Sequence, residues 1–256
     1  INIMTLIASG GVIIASAALF IVLSVFAGLK DYSLNFSTFV DPDLKLIPST
    51  GKSFQWSEND HTSLLKIEGI AASSEIIEER IFIKSDNKNL IATLKGVDKN
   101  YQNVTSIDSM VTKGNWITPN SNEVVSGWGI SNNLSFGVLD YLKPLSFYVP
   151  KVGKGQATSI QGYYNSVYVN NVGLFDINEQ YNNNYVFSDI ELAKQLLNYK
   201  ENQRSAIEIK LNSDANEDLI RSQIETAFGD KFNIKNRAEL NDALFKMLNT
   251  ENLAIY

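Results

Sequence analysis

The chain has no cysteine, one histidine and five prolines in 256 residues. Without cysteine there is no disulfide, no thiolate nucleophile and no Cys-ligated metal. His61 alone supplies neither a catalytic triad with a second proton carrier nor a His-pair metal site, and it reads as a surface helix residue. Basic residues are also scarce: 22 Lys and Arg face 28 Asp and Glu, for a net charge of -6 and a pI near 4.9. Nucleic-acid binding relies on cations that neutralise phosphates, so no nucleic-acid partner is expected. Gly153-Lys154-Gly155 lacks the Lys-Ser/Thr ending of a phosphate loop, and Gly127-Trp128-Gly129 lacks the nucleophile of an elbow motif. Three Asn-x-Ser/Thr triplets, at Asn35, Asn103 and Asn133, are what so Asn-rich a chain yields by chance. The expectation is no catalytic residue, no cofactor and no metal.

Charge is missing altogether from one end. Every charged side chain lies beyond position 29. As a helix, Ile1 to Leu29 would reach roughly 43 Å, more than the roughly 30 Å hydrocarbon core of a bilayer. A transmembrane helix over residues 1–29 is therefore expected. A cleaved signal peptide fits less well, because Ala15-Ser16-Ala17 sits inside the apolar run and no basic stretch precedes it. Ala8, Gly11, Ala15 and Ala18 recur at three- and four-residue spacing, which puts them on one face and marks a candidate helix-packing face in lipid. Ile1 in place of Met, and the apolar turn Asn252-Leu253-Ala254-Ile255-Tyr256, suggest a segment of a longer membrane protein.

What remains reads as α+β. Alternation predicts strands over 43–48, 80–84 and 90–97, the last two as a hairpin through Ser85 to Asn89. Capping-box patterns at Ser57-Asp60, Ser188-Glu191 and Asn236-Glu239 predict helix starts, and Asp214 to Glu217 predicts another. Leu219, Ile220, Ile224, Ala227 and Phe228 are expected to face inward from that last helix, which ends at Gly229. Ala206 to Leu211 alternates strictly, and Lys231 to Lys235 alternates again. Two strand-helix-strand units, near 43–84 and 206–235, imply a split βαβ sheet with a β-rich insertion between them. Within the insertion, strands at 145–149 and 166–169 are joined by a long connection. Connections of that length are often functional.

An ordered set of short stretches carries a family resemblance. Ile21 to Leu29, Asp41-Pro42-Asp43-Leu44-Lys45, Gly96-Val97-Asp98, Gly127 to Leu134, Tyr185-Val186-Phe187 and Asn236-Arg237 together resemble lipoprotein-releasing permeases of the LolC/LolE type, within the FtsX/MacB-like permeases. The resemblance implies a transmembrane helix 1 followed by a MacB-like periplasmic domain. Its divisions would be 1–29, the first half of a porter-like subdomain at 30–100, a β-rich inserted subdomain at 101–187, the second porter half with an exit helix at 188–248, and the start of transmembrane helix 2 at 249–256.

The implied function is permease work in an ABC transporter of the inner membrane, with the main domain in the periplasm. Partners would be a cytoplasmic ATPase subunit, a second permease subunit (as homo- or heterodimer), a periplasmic lipoprotein carrier, and a lipoprotein or lipid substrate. The hairpin Pro150, Lys151, Val152, Gly153, Lys154, Gly155, Gln156 would contact the carrier, and Leu240, Leu244, Phe245 and Leu248 would line a coupling helix. The alternatives are a single-span tethered extracytoplasmic receptor or ligand-binding module, and a MacB-like exporter of another substrate.

Overall fold

The computed structural model describes residues 3–140, 144–151 and 163–240. Helix α1 (Ile3–Val40) is longer than the expected span. It holds the one stretch among the described residues long and apolar enough to cross a membrane, Ile7–Val25, and runs past Leu29 to a last residue, Val40, that is fully buried. At about 1.5 Å per residue it is about 57 Å long.

After α1 come β1 (Leu44–Pro48), β2 (Phe54–Gln55), α2 (Glu58–Leu65) and β3 (Ile70–Ser85). The second unit is β11 (Ala206–Leu211), α7 (Glu217–Phe228) and β12 (Phe232–Asn236). The units interleave as β12-β1-β11-β3, each neighbour antiparallel. This is the expected split βαβ sheet. Leu44, Leu46, Ile207 and Ile209 form its inner face against Leu64 of α2 and Ile220, Ile224 and Phe228 of α7.

Helix starts follow the sequence closely. Ser57 and Asp60 form a reciprocal capping box on α2, and Asn236 and Glu239 do the same on α8 (Arg237–Leu240). Two expectations need correction. Leu219 and Ala227 face solvent, because the buried stripe of α7 is the narrow i, i+4, i+8 series Ile220, Ile224, Phe228. Helix α6 (Ile190–Leu197) is capped by Asp189, whose carboxylate accepts from Glu191 N at 2.8 Å. Ser188 is still inside β9 (Tyr185–Asp189), where it pairs with Gly96.

The inserted part builds on the same strands. β3 and β4 (Lys88–Val97) meet through a two-residue turn, with Asp86 at φ 51° in the left-handed region such turns require. From β4 the chain passes α3 (Tyr101–Val104), a 3-10 turn at Ile107–Met110, β5 (Val111–Gly114), β6 (Glu123–Gly127) and α4 (Trp128–Leu134). It continues through β7 (Leu145–Pro150), β8 (Tyr164–Phe175) and α5 (Glu179–Asn184) into β9 and α6, and the two-residue β10 (Gln203–Arg204) pairs with β2. β4 pairs β9, β9 pairs β6, β6 pairs β8, β8 pairs β7, and β7 returns to the far end of β3. Six strands thus close a ring. Ile81, Ile83, Leu94, Phe147, Val169 and Val186 fill it, with Leu192 and Leu196 of α6 packed in. A Cβ on Gly96 would fall 2.4 Å from Ala193 Cβ, so only glycine lets α6 lie this close to β4.

Candidate functional site

The foot of α1 is where the apolar helix meets the domain. Val40 enters a core with Ile76, Val97, Tyr101 and Phe187. Asp41, also buried, accepts a hydrogen bond from the Tyr181 hydroxyl on α5. Burial and the Asp41 carboxylate both push that hydroxyl well above the tyrosine range, so it stays a donor. Two residues on, Asp43 caps Leu211 N at 2.8 Å and pairs with Lys210 at 3.2 Å and with Arg237 at 2.6 Å. The chain therefore enters the domain and leaves β12 at one point, tied by a carboxylate that reaches across 194 residues. Arg221 of α7 adds a second tie through Glu239 at 2.6 Å.

Beside this junction lies a layer of charge, buried at Lys95 and Glu208 and half-buried at Lys45 and Glu78. Lys45 of β1, Glu208 of β11, Glu78 of β3 and Lys95 of β4 come from four adjacent strands and point to the same face. Lys95 Nζ is 2.8 Å from Glu208 Oε1, Lys45 Nζ is 3.2 Å from the same oxygen, and Lys45 is 2.7 Å from Glu78. Glu208 has no exposed surface. The Lys95 ammonium also lies 5.0 Å from the Tyr101 ring and 5.9 Å from the Phe187 ring.

Burial alone would neutralise Glu78 and the two lysines, but the pairing outweighs it. Desolvation would raise Glu78, yet Lys45 and Lys95 hold its carboxyl below the usual range. Desolvation would lower both lysines, yet the carboxylates raise them above theirs. The formal charges of the two lysines and two glutamates cancel. Tyr185 donates to Glu78 at 3.4 Å and stacks on Tyr181 at 4.9 Å between ring centres. A continuous path of contacts thus runs from Asp41 through Tyr181 and Tyr185 to the charged layer.

The residues singled out from sequence fall in three places. Ala8, Gly11, Ala15 and Ala18 are exposed along α1, with open space where a Gly11 Cβ would be. Pro150 ends β7, and just beyond it Lys151 N donates to Tyr163 O at 2.8 Å, extending the β7–β8 pairing. Val152, Gly153, Lys154, Gly155 and Gln156 lie outside the described residues. Leu240 ends α8, whereas Leu244, Phe245, Leu248 and the stretch 249–256 lie outside them. His61 sits half-buried on α2.

Sequence reasoning missed Lys45, Glu78, Lys95 and Glu208, as well as Tyr181. A signal was present for two of them: Lys45 and Glu208 are each flanked by apolar residues, in Leu44-Lys45-Leu46 and Ile207-Glu208-Ile209, and their signs balance.

The sequence matches the MacB-like periplasmic core domain family over residues 5–227. No curated protein matches it. Among solved structures, the periplasmic region of MacB from Actinobacillus actinomycetemcomitans superposes with a TM-score of 0.53 at 13% identity, over 81% of this chain and 94% of that one. The extracellular domain of the noncanonic ABC-type transporter YknZ from Gram-positive bacteria gives 0.51 at 15% identity, over 76% and 99%. At such identities these two likenesses concern the fold alone.

Proposed function

The chain belongs to the MacB-like periplasmic core domain family of ABC transporter permeases, and on that premise we propose that it releases lipoproteins from the inner membrane toward a periplasmic carrier, as a LolC/LolE-type subunit. Permeases of this family work with a cytoplasmic ATPase, and this one presents an extracytoplasmic domain on an apolar helix. A second permease subunit, the same or different, would complete the transporter. The tethered-receptor alternative gives no account of the family match.

One observation carries the reading. Helix α1 is unbroken from the apolar stretch Ile7–Val25 to the buried Val40, so any tilt or rotation imposed in the membrane arrives inside the domain core. There Asp41 and Asp43 hand it to α5 and to the outgoing segment at Arg237. Ala8, Gly11, Ala15 and Ala18 would receive a neighbouring helix, the 150–156 hairpin would meet the carrier, and the helix through Leu240, Leu244, Phe245 and Leu248 would return the motion to a second span at 249–256. In this scheme the porter-like halves at 30–100 and 188–248 hold the two helices, and the part at 101–187 reaches outward.

The test is an insertion of four glycines after Gly28, which breaks the rod but leaves the domain core untouched. Lipoproteins should accumulate in the inner membrane on fractionation while ATP hydrolysis by the assembled transporter continues. Normal sorting by that variant, or by cells lacking the partner ATPase, sinks the proposal.

A further inference from the structure

Among the described residues, nothing packs over the outward face of the β4-β3-β7-β8 segment of the ring at Phe82, Ile91 and Tyr168. Along β3 the outward side chains are Arg80, Phe82 and Lys84. Phe82 stands opposite Ile91 on β4 and opposite Tyr148 on β7, and Lys84 stands opposite Ser146, which faces Tyr168 on β8. Phe82, Ile91 and Tyr168 are 43%, 47% and 69% exposed. An apolar patch of this kind on a soluble surface marks a place of contact.

At its Arg80 end the patch runs into a cleft of about 390 Å³. Arg80 and its cross-strand neighbour Thr93 line the cleft together with Lys45, Lys52, Glu78 and Glu79. Lys45 is bound to Glu78 and Lys52 to Glu79. Among the described residues Arg80 and Lys84 form no ion pair. The face therefore combines unspent positive charge with aromatic surface, on a chain whose net charge is -6. A second copy is a poor occupant, because a two-fold contact would bring two faces that each carry Arg80 and Lys84 together.

We propose that this face binds an anionic amphiphile, with its charged head against Arg80 and Thr93 at the cleft and a single acyl chain laid across Ile91, Phe82 and Tyr148 toward Tyr168. The three strand-to-strand steps from β4 to β8 measure about 14 Å at about 4.8 Å each. That matches one acyl chain, which spans about half of a roughly 30 Å hydrocarbon core. A guanidinium is suited to a phosphate head, and Lys84 adds positive charge to the same face of β3. The residues proposed to bind, Arg80, Thr93, Ile91, Phe82 and Tyr148, are not those that hold Val40. A chain that binds the amphiphile yet sorts no lipoprotein would keep this proposal and lose the release function.

The full chain, held in nanodiscs of zwitterionic lipid, is irradiated with lysophosphatidylglycerol bearing a diazirine in its acyl chain, and labelled peptides are read by mass spectrometry. Lysophosphatidylcholine with the same chain is the control, and labelling of α1 within the disc is the internal reference. Labels should fall on Phe82, Ile91 or Tyr148, about tenfold more for the anionic probe, the loss expected for one charge-assisted contact. Arg80→Gln should bring the two probes level, and Phe82→Ser should remove the label; both positions are exposed, so the unfolding midpoint should not move. Equal labelling by both probes, labelling spread over the whole domain, or displacement by inorganic phosphate alone overturns the proposal. So does a disulfide-linked dimer of the Phe82→Cys variant, whose thiol would be unique in this cysteine-free chain.

Discussion

Inside the ring, β3 and β4 present Ile81, Ile83, Ala92 and Leu94 to an aliphatic core. On their opposite face the same two strands present Glu78 and Lys95 to a layer where four charges meet. The aliphatic side draws its stability from area removed from water and tolerates swaps that conserve volume. The charged side is less forgiving. A strand paired out of register would leave one ion buried alone, which costs several kcal/mol. The aliphatic face thus holds the domain together, and the charged face selects which strands stand side by side.

The largest expected effect breaks the charged side. Glu208→Ala leaves the buried Lys95 without its carboxylate and should cost about 3–5 kcal/mol in chemical denaturation. The double variant Lys95→Met with Glu208→Leu leaves Lys45 and Glu78 as a neutral pair and should recover most of that loss. If the double variant is as unstable as the single, the layer does not act by charge balance. On the aliphatic side, Ile83→Val should cost about 1 kcal/mol by the same measurement, with no such rescue logic.

The smallest effect is in pH dependence. Glu78 is held below its ordinary value of 4.5, so its contribution is present above that value and fades as pH falls beneath it. Lys45 and Lys95 are held above 10.5, so theirs is complete below 10.5 and is lost only in strong alkali. The unfolding midpoint should therefore stay flat through neutrality and drop on the acid side, and Glu78→Gln should make that drop shallower. An unchanged acid limb in the variant would remove Glu78 from the account.

Much of this architecture was legible in local pattern. The capping boxes at Ser57 and Asn236, the β3–β4 hairpin and the interleaved βαβ units follow from spacing within a few residues. What escaped depends on partners far along the chain. Glu208 sits in a strictly alternating strand and reads as a solvent-facing position, yet β11 is covered on both faces and the residue is fully buried. Its cation, Lys95, is 113 residues away. The ring closes only because β7 returns to β3, a pairing no local signal encodes. Ser188 resembled a cap because Glu191 follows three residues later, but Asp189 is the residue that leaves the strand.

The pairing of β1 with both β11 and β12 has a consequence for synthesis on the ribosome. β1 is made early, yet each of its two hydrogen-bonding edges waits for a strand more than 150 residues downstream. Until residue 236 has emerged, Leu44 and Leu46 lack their neighbours, and the ring between them must form first or fold alone. Long-range pairing of this kind is slow and leaves strand edges open to wrong partners. The nascent domain therefore passes through an interval in which β1 has neither of its neighbours, the stage at which a chaperone has most to do.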